Sequence, residues 1–225
     1  MTINGTVHRI GFLLFLVTAG ALWAWTHNHI LSPRSLLLVL LSGSLMAIAL
    51  VWVTVRKKHW SPVTGPSYSL LEGLVIGGLS ARLDLRYPGI AIQAVALTFT
   101  ICFCMLIAYR TGLIRVTEKF NGGLMVATAG VALFYMGSFV LALLGERTVT
   151  AFATGMAGIL ISVIVVMIAS MNLVSDFDFI DQCGKSRLPK HMEWYTSFGI
   201  VLTLVWLYLE TLRLLSKARK AEELA

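Results

Sequence analysis

Long unbroken apolar stretches alternate along this chain with short polar connections, most of them basic. The stretches run from Gly11 to Trp25, Ser35 to Val55, Ser67 to Leu83, Gly89 to Tyr109, Gly122 to Leu144, Ala151 to Val174 and Met192 to Leu215. None shows the two-residue alternation of an outer-membrane strand. Lipid cannot satisfy open backbone donors and acceptors, so each stretch is predicted to be a helix. The expected fold class is all-α, a polytopic membrane bundle of seven transmembrane helices forming one domain over residues 1–225. Trp23, Trp25, Trp52, Tyr87, Tyr109, Trp194 and Tyr195 fall near the ends of stretches, where an aromatic belt would sit. Arg9 alone is a thin basic lead for a signal peptide, and the first apolar run continues past Thr18-Ala19-Gly20-Ala21. It is therefore expected to be retained as a span.

Composition agrees with this pattern. Of 225 residues, 57% are hydrophobic and 13% charged. Seven spans take up roughly 140 residues, so only short loops and tails remain and no soluble domain is expected. The net charge of +7 belongs to the connections. The N-terminal side collects Arg9, Arg56, Lys57, Lys58, Arg110, Arg115, Lys119, Lys185, Arg187 and Lys190; the other side has Arg34, Arg82, Arg86 and Arg147. This imbalance favours a cytoplasmic N-terminus in a cell (inner) membrane. The tail residues Arg213, Lys217, Arg219 and Lys220 argue the other way, or contact anionic lipid. With no soluble basic fold to present the charge, nucleic acid is not an expected partner.

Two features predict which spans are interior. Ser61-Pro62-Val63-Thr64-Gly65-Pro66 separates the second span from the third and suits a helix start. Gly73, Gly77 and Ala81 make a small-residue stripe on the third span, and Ala151, Gly155 and Gly158 offer a similar one on the sixth. Such stripes let helix backbones approach closely.

The candidate chemistry is acidic. Ser175-Asp176-Phe177-Asp178-Phe179-Ile180-Asp181 closes the sixth span and Glu193 opens the seventh. If the helix continues through that segment, Asp178 and Asp181 share a face and Asp176 points nearly opposite to Asp178. Acids at a helix C-terminus oppose the macrodipole. Glu72 lies five residues into the third span, about 7 Å along its axis. An ionised carboxylate there needs a partner, a water-filled cavity or a proton. Arg56 is the nearest plausible cation, so Glu72 is read either as part of an ion pathway or as half of a Glu–Arg tie. Carboxylates sharing a desolvated site titrate as a coupled pair. Asp176, Asp178 and Glu193 also suit a weak calcium transit site, since that ion takes several oxygen ligands. Glu210, about 25 Å along the seventh helix from Glu193, is expected to pair with Arg213.

Other chemistries fit poorly. His8, His27, His29, His59 and His191 all lie at span ends or in loops, which disfavours haem between helices. An embedded protease would need a base inside a span, and no HExxH is present. Cys102 and Cys104 point about 200° apart on a helix and are expected to be apolar fillers, as is Cys183. No enzyme activity and no resident cofactor are expected.

The chain resembles the Bax inhibitor family of seven-span membrane proteins, in its bacterial branch. The resemblance is carried by Leu71-Glu72-Gly73-Leu74, by Asn172-Leu173-Val174-Ser175-Asp176-Phe177-Asp178-Phe179-Ile180, by Met192-Glu193-Trp194-Tyr195 and by Leu204-Val205-Trp206-Leu207-Tyr208-Leu209-Glu210. It implies a pH-sensitive calcium leak. In that family an Asp of the sixth span pairs with one of the seventh, and an Arg near the end of the second span helps hold the closed form. Asp176 matches the first and Arg56 roughly matches the arginine. The seventh-span partner is open between Glu193, favoured by depth, and Glu210, favoured by local letters. The function expected is a calcium-leak channel gated by protons at Asp176, Asp178, Glu193 and Glu72, with Arg56 as countercharge. Its expected partners are the bilayer, Ca²⁺ and protons. The rival reading is a membrane interaction protein that transports nothing and regulates a membrane protease or stress survival.

Overall fold

The computed structural model describes residues 1–27, 33–143, 155–186 and 188–223. His29, Arg147, Ala151 and Arg187, which enter the reading of the sequence, lie outside them. In chain order the elements are α1 (Ile3–His27), α2 (Pro33–Arg56), a one-turn 3₁₀ helix (Lys58–Trp60), α3 (Ser61–Arg86), α4 (Ile90–Arg110), α5 (Glu118–Leu143), α6 (Gly155–Lys185) and α7 (Met192–Glu222). Among the described residues there is no strand, and the all-α architecture holds.

Helix ends differ from the apolar stretches in instructive ways. α1 starts at Ile3, well ahead of Gly11 where the first apolar stretch begins, and α6 continues through the whole acidic segment to Lys185. Hydropathy marks where lipid can cover a helix, whereas the backbone goes on hydrogen-bonding wherever side chains find water or protein. α1, α4, α5, α6 and α7 are each long and apolar enough to cross a membrane. Leu40–Arg56 and Lys58–Arg86 pass that test only as a pair bent by 119°. α3 is too polar by itself, because protein rather than lipid covers it.

The contacts divide the chain into two compact units. The first comprises Met1–Ala91 and Asp176–Leu202, with α3 at its centre. α3 buries Ser61, Thr64, Ser69, Glu72, Gly73, Gly77, Ser80 and Ala81 along its length. Gly73 lies against the backbone of Val17 and Gly77 against that of Ala21. From the other helix, a Cβ on Gly20 would come within 2.7 Å of the Leu70 carbonyl oxygen. The glycine stripe thus brings α1 and α3 to backbone contact, as its spacing predicts. Across α2, Thr54 donates to Thr64 (2.7 Å), and Tyr68 meets Phe198 of α7 edge-on, with ring centroids 5.1 Å apart. The turn into α4 is held by Asp84, whose Oδ1 accepts from the Gly89 amide (3.0 Å). Gly89 itself takes a positive φ of 83°.

The second unit comprises Ile92–Ser175 and Thr203–Ala225. On α5 a polar ladder recurs every seven residues: Asn121 accepts from Ser175 (3.0 Å), Thr128 from Asn172 (2.9 Å), and Tyr135 donates to Glu210 (2.9 Å). The rest of α5 is a lipid-type surface. Thr98 and Thr211 bond to each other at 3.0 Å. The small-residue stripe expected on α6 is not a packing face at its start: Gly155 has φ 73° and open space around it. It opens the helix rather than seating a neighbour. All three cysteines are free.

The two sets of glycines predict opposite responses to an added methyl. Gly73→Ala and Gly77→Ala are each expected to lower stability by about 1–3 kcal/mol, because the Cβ has backbone, not a yielding side chain, in its way. Gly130→Ala on α5, where nothing lies within 4 Å, is expected to be neutral or stabilising by up to about 1 kcal/mol. Thermal unfolding of the purified protein in detergent checks this ordering.

Candidate functional site

Glu193 stands in the first turn of α7, where the helix's positive end favours an anion. It is only 3% exposed. Its Oε1 accepts from the Thr2 backbone amide (2.9 Å) and from the Thr2 hydroxyl (3.2 Å). Its Oε2 forms an ion pair with Arg9. The Arg9 guanidinium also lies over the Trp194 ring, 5.1 Å from its centroid, and Ser197 donates to the Thr6 carbonyl (3.0 Å). Gly5 leaves room for the carboxylate, since a Cβ there would approach Glu193 Oε2 to 2.6 Å. The first turns of α1 are therefore clasped to the first turns of α7 through one buried acid. A cleft of about 600 Å³ opens beside the clasp, lined by His8, Arg9, Phe12 and Lys190 among others.

Glu72 occupies the interior of the first unit, 9% exposed. It forms no ion pair and no hydrogen bond with the described residues. One turn before it on the same helix face, the fully buried Ser69 hydroxyl also lacks a hydrogen-bond partner. Tyr68, the residue preceding Ser69, packs on Phe198. Gly65, one turn before Ser69, faces Leu13 of α1 and Phe198 of α7. This stretch of α3 is thus polar matter held among apolar neighbours.

The acidic segment of α6 is helical, so its acids separate. Asp176 sits beside α7 at the level of Gly199, where an added Cβ would be 3.8 Å from Asp176 Oδ1. Gly199 is six residues beyond Glu193, about 9 Å along the helix, so Asp176 and Glu193 do not form the facing pair expected from their places at adjoining helix ends. Asp178 accepts from Gln182 (2.5 Å) and Asp181 from Lys185 (2.5 Å), both one turn ahead on their own helix. Among the described residues no group of three His, Cys, Asp or Glu is arranged to hold a metal. Asp176, Asp178 and Glu193 are not gathered into one ligand set. Arg56 is exposed and lies over Trp52, 4.9 Å from the ring centroid. Arg56, expected as the countercharge, has no acidic partner among the described residues. The acid that needs a cation, Glu193, takes it from Arg9.

Glu210, in the second unit, is 1% exposed. It accepts from Arg213 Nη1 at 2.9 and 3.1 Å, from the Tyr135 hydroxyl at 2.9 Å and from Trp206 Nε1 at 3.3 Å. Arg213 also stacks over Tyr135, 4.6 Å from its centroid, and its side chain is partly exposed. The pairing with Arg213 agrees with the three-residue spacing. One turn on, Lys217 donates to Ser162 (2.8 Å) and to the Gly158 carbonyl (3.1 Å). Four donor contacts make Glu210 a saturated structural acid.

Arg9 counts in the sequence only as a loop charge, and Ser69 carries no expectation there. Thr2, Thr6 and Arg9 are spaced four and three apart, the signature of one helix face, and could have shown that helix precedes the apolar span. Ser69 had no signal of its own, because a hydroxyl in a helix usually bonds back to the preceding turn.

A family model described as Bax inhibitor 1 like matches residues 1–220. No curated protein matches the chain. With a match running over nearly its whole length and helices of membrane-crossing length and apolarity, the chain belongs to the Bax inhibitor family of multi-pass membrane proteins.

Proposed function

We propose that this protein is a proton-sensitive cation leak, with calcium as its principal ion, in the cell (inner) membrane and with a cytoplasmic N-terminus. The observation that carries the reading is Glu72: a carboxylate set inside a membrane bundle, with no cation paired to it among the described residues, one turn from an unsatisfied buried hydroxyl at Ser69. A structural acid would be saturated, as Glu210 is. An acid kept available can exchange a proton or meet a passing ion. Asp176, on α6, is the second acid assigned to the route. Ion contact is transient and carried by few oxygens, in keeping with a leak rather than a storage site.

Glu193 and Arg9 hold the closed form in this proposal. While Glu193 is ionised, Arg9 is matched and the start of α1 stays on α7. Protonation of Glu193 removes that attraction and leaves the Arg9 charge partly buried and unmatched, which favours release of the clasp. His8, Arg9 and Lys190 line the adjoining cleft. Falling pH therefore opens the leak in this proposal.

Calcium efflux from loaded proteoliposomes tests the reading. Wild type is expected to leak faster at mildly acidic than at neutral pH. Glu193→Gln is expected to leak at both values, and Glu72→Gln at neither. Efflux equal to that of protein-free vesicles under all conditions would sink the channel and leave the non-transporting interaction protein as the better account.

Stability tests the clasp independently of transport. Arg9→Leu and Glu193→Leu are each expected to cost on the order of 2–3 kcal/mol, below the figure for a fully buried pair because Arg9 is 17% exposed. The double variant is expected to cost clearly less than the sum, since neither charge is then stranded. Additive losses in a double-mutant cycle, followed by thermal unfolding in detergent, would mean that the pair is not coupled.

A further inference from the structure

The corner between α2 and α3 has a charge pattern that the leak does not use. Arg56, Lys57 and Lys58 are consecutive and exposed, and among the described residues none of them pairs with a carboxylate. Each is held instead by an aromatic face: Arg56 over Trp52 at 4.9 Å, Lys57 over Trp60 at 4.9 Å and Lys58 over Tyr195 at 5.1 Å from the ring centroids. Cation–π contact orders an ammonium or guanidinium without neutralising it. Three positive charges are thus ordered on consecutive residues with hydrogen-bond donors to spare. Trp52 and Trp60 are 61% and 48% exposed, although indole rings are amphipathic and settle at the headgroup level of a bilayer.

An apolar track leads away from this corner. Leu41, Leu45, Ile48, Trp52 and Val55 are all exposed, and their spacing of four, three, four and three places them in one line along α2. The line is about 21 Å long, enough to accompany an acyl chain through one leaflet of a hydrocarbon core about 30 Å thick. It ends at the Trp52–Arg56 stack, so the ordered charge stands where a headgroup phosphate would be. A free phosphate ion would use the cations and ignore the track. A phospholipid uses both.

We propose that the Arg56–Lys58 corner with the α2 track is a binding site for an anionic glycerophospholipid, its phosphate on the three cations and an acyl chain along Leu41–Val55. The site selects charge at the head rather than chain chemistry, so it discriminates against zwitterionic lipids with the same tails. Binding there braces the turn between α2 and α3 and depends on no ion flux.

Native mass spectrometry of the full chain, titrated with phosphatidylglycerol or phosphatidylcholine of identical acyl chains, tests the proposal. The wild type is expected to retain phosphatidylglycerol preferentially. Combined Arg56→Gln, Lys57→Gln and Lys58→Gln is expected to lower that preference by roughly tenfold. Removing the same number of charges at the exposed Arg110, Arg115 and Lys119 is expected to leave it unchanged. Trp52→Ala, with the cations intact, is expected to weaken phosphatidylglycerol binding as well, and circular dichroism of each variant confirms that its helices are kept. Equal losses from both triple variants would show general attraction to basic loops and overturn the site. Competition by inorganic phosphate as effective as that by the lipid would assign the corner to a soluble anion instead.

Discussion

A polar group removed from water inside a membrane bundle must meet a partner, a proton or a trapped water, and the arrangement of this protein follows from how that need is met. Hydroxyls within helices turn back on the preceding turn: Thr54 to Leu50, Ser80 to Ile76 and Thr98 to Ala94, at 2.5–2.7 Å. Acids near helix ends take donors one turn ahead, as Asp178 and Asp181 do. Two deeply buried acids recruit arginines, and each arginine is in turn stacked on an aromatic ring. Against so thorough a matching, Glu72 and Ser69 stand out. Their unmet valence costs stability, and a role for the acid is the simplest reason for a chain to keep it.

In the first unit, close packing and charge pairing act on the same helix. Gly73 and Gly77 bring α3 to the backbone of α1 near Val17 and Ala21, in the middle of that helix. The Glu193 clasp holds its start, through Thr2, Thr6 and Arg9. The middle contact is made by shape and does not vary with pH. The contact at the start is made by charge. One helix is thus anchored near its centre by van der Waals contact and at its end by an ionisable pair. In the second unit, Glu210 keeps four donor contacts and Tyr135, Thr128 and Asn121 tie α5 at regular intervals.

Much of the fold is legible one residue at a time. Apolar runs located the seven long helices among the described residues, and the four-residue glycine spacing identified α3 as an interior element. Arg213 three residues after Glu210 gave a local pair, because neighbours on one helix turn are fixed by the backbone alone. The heptad Asn121, Thr128 and Tyr135 was equally available, as polar positions recurring on one side of an apolar helix. The harder matter was the acidic segment of α6. Asp176 and Glu193 are near in sequence and lie at adjoining helix ends, yet continued helix between them carries Asp176 to the level of Gly199.

What the chain settles unaided, then, is which segments are helices and that they belong in a membrane, since those depend on local backbone geometry and transfer from water. Which cation reaches which acid is a different kind of quantity. Arg9 and Glu193 are separated by most of the chain, and their meeting depends on the lateral order and axial offset of helices that apolar runs do not encode. Arg56, close to the acids by simple counting, faces outward onto Trp52 because α2 and α3 meet at a 119° bend. Tertiary structure alone decided that, because in a low dielectric a displacement of a few ångströms separates a matched charge from a stranded one.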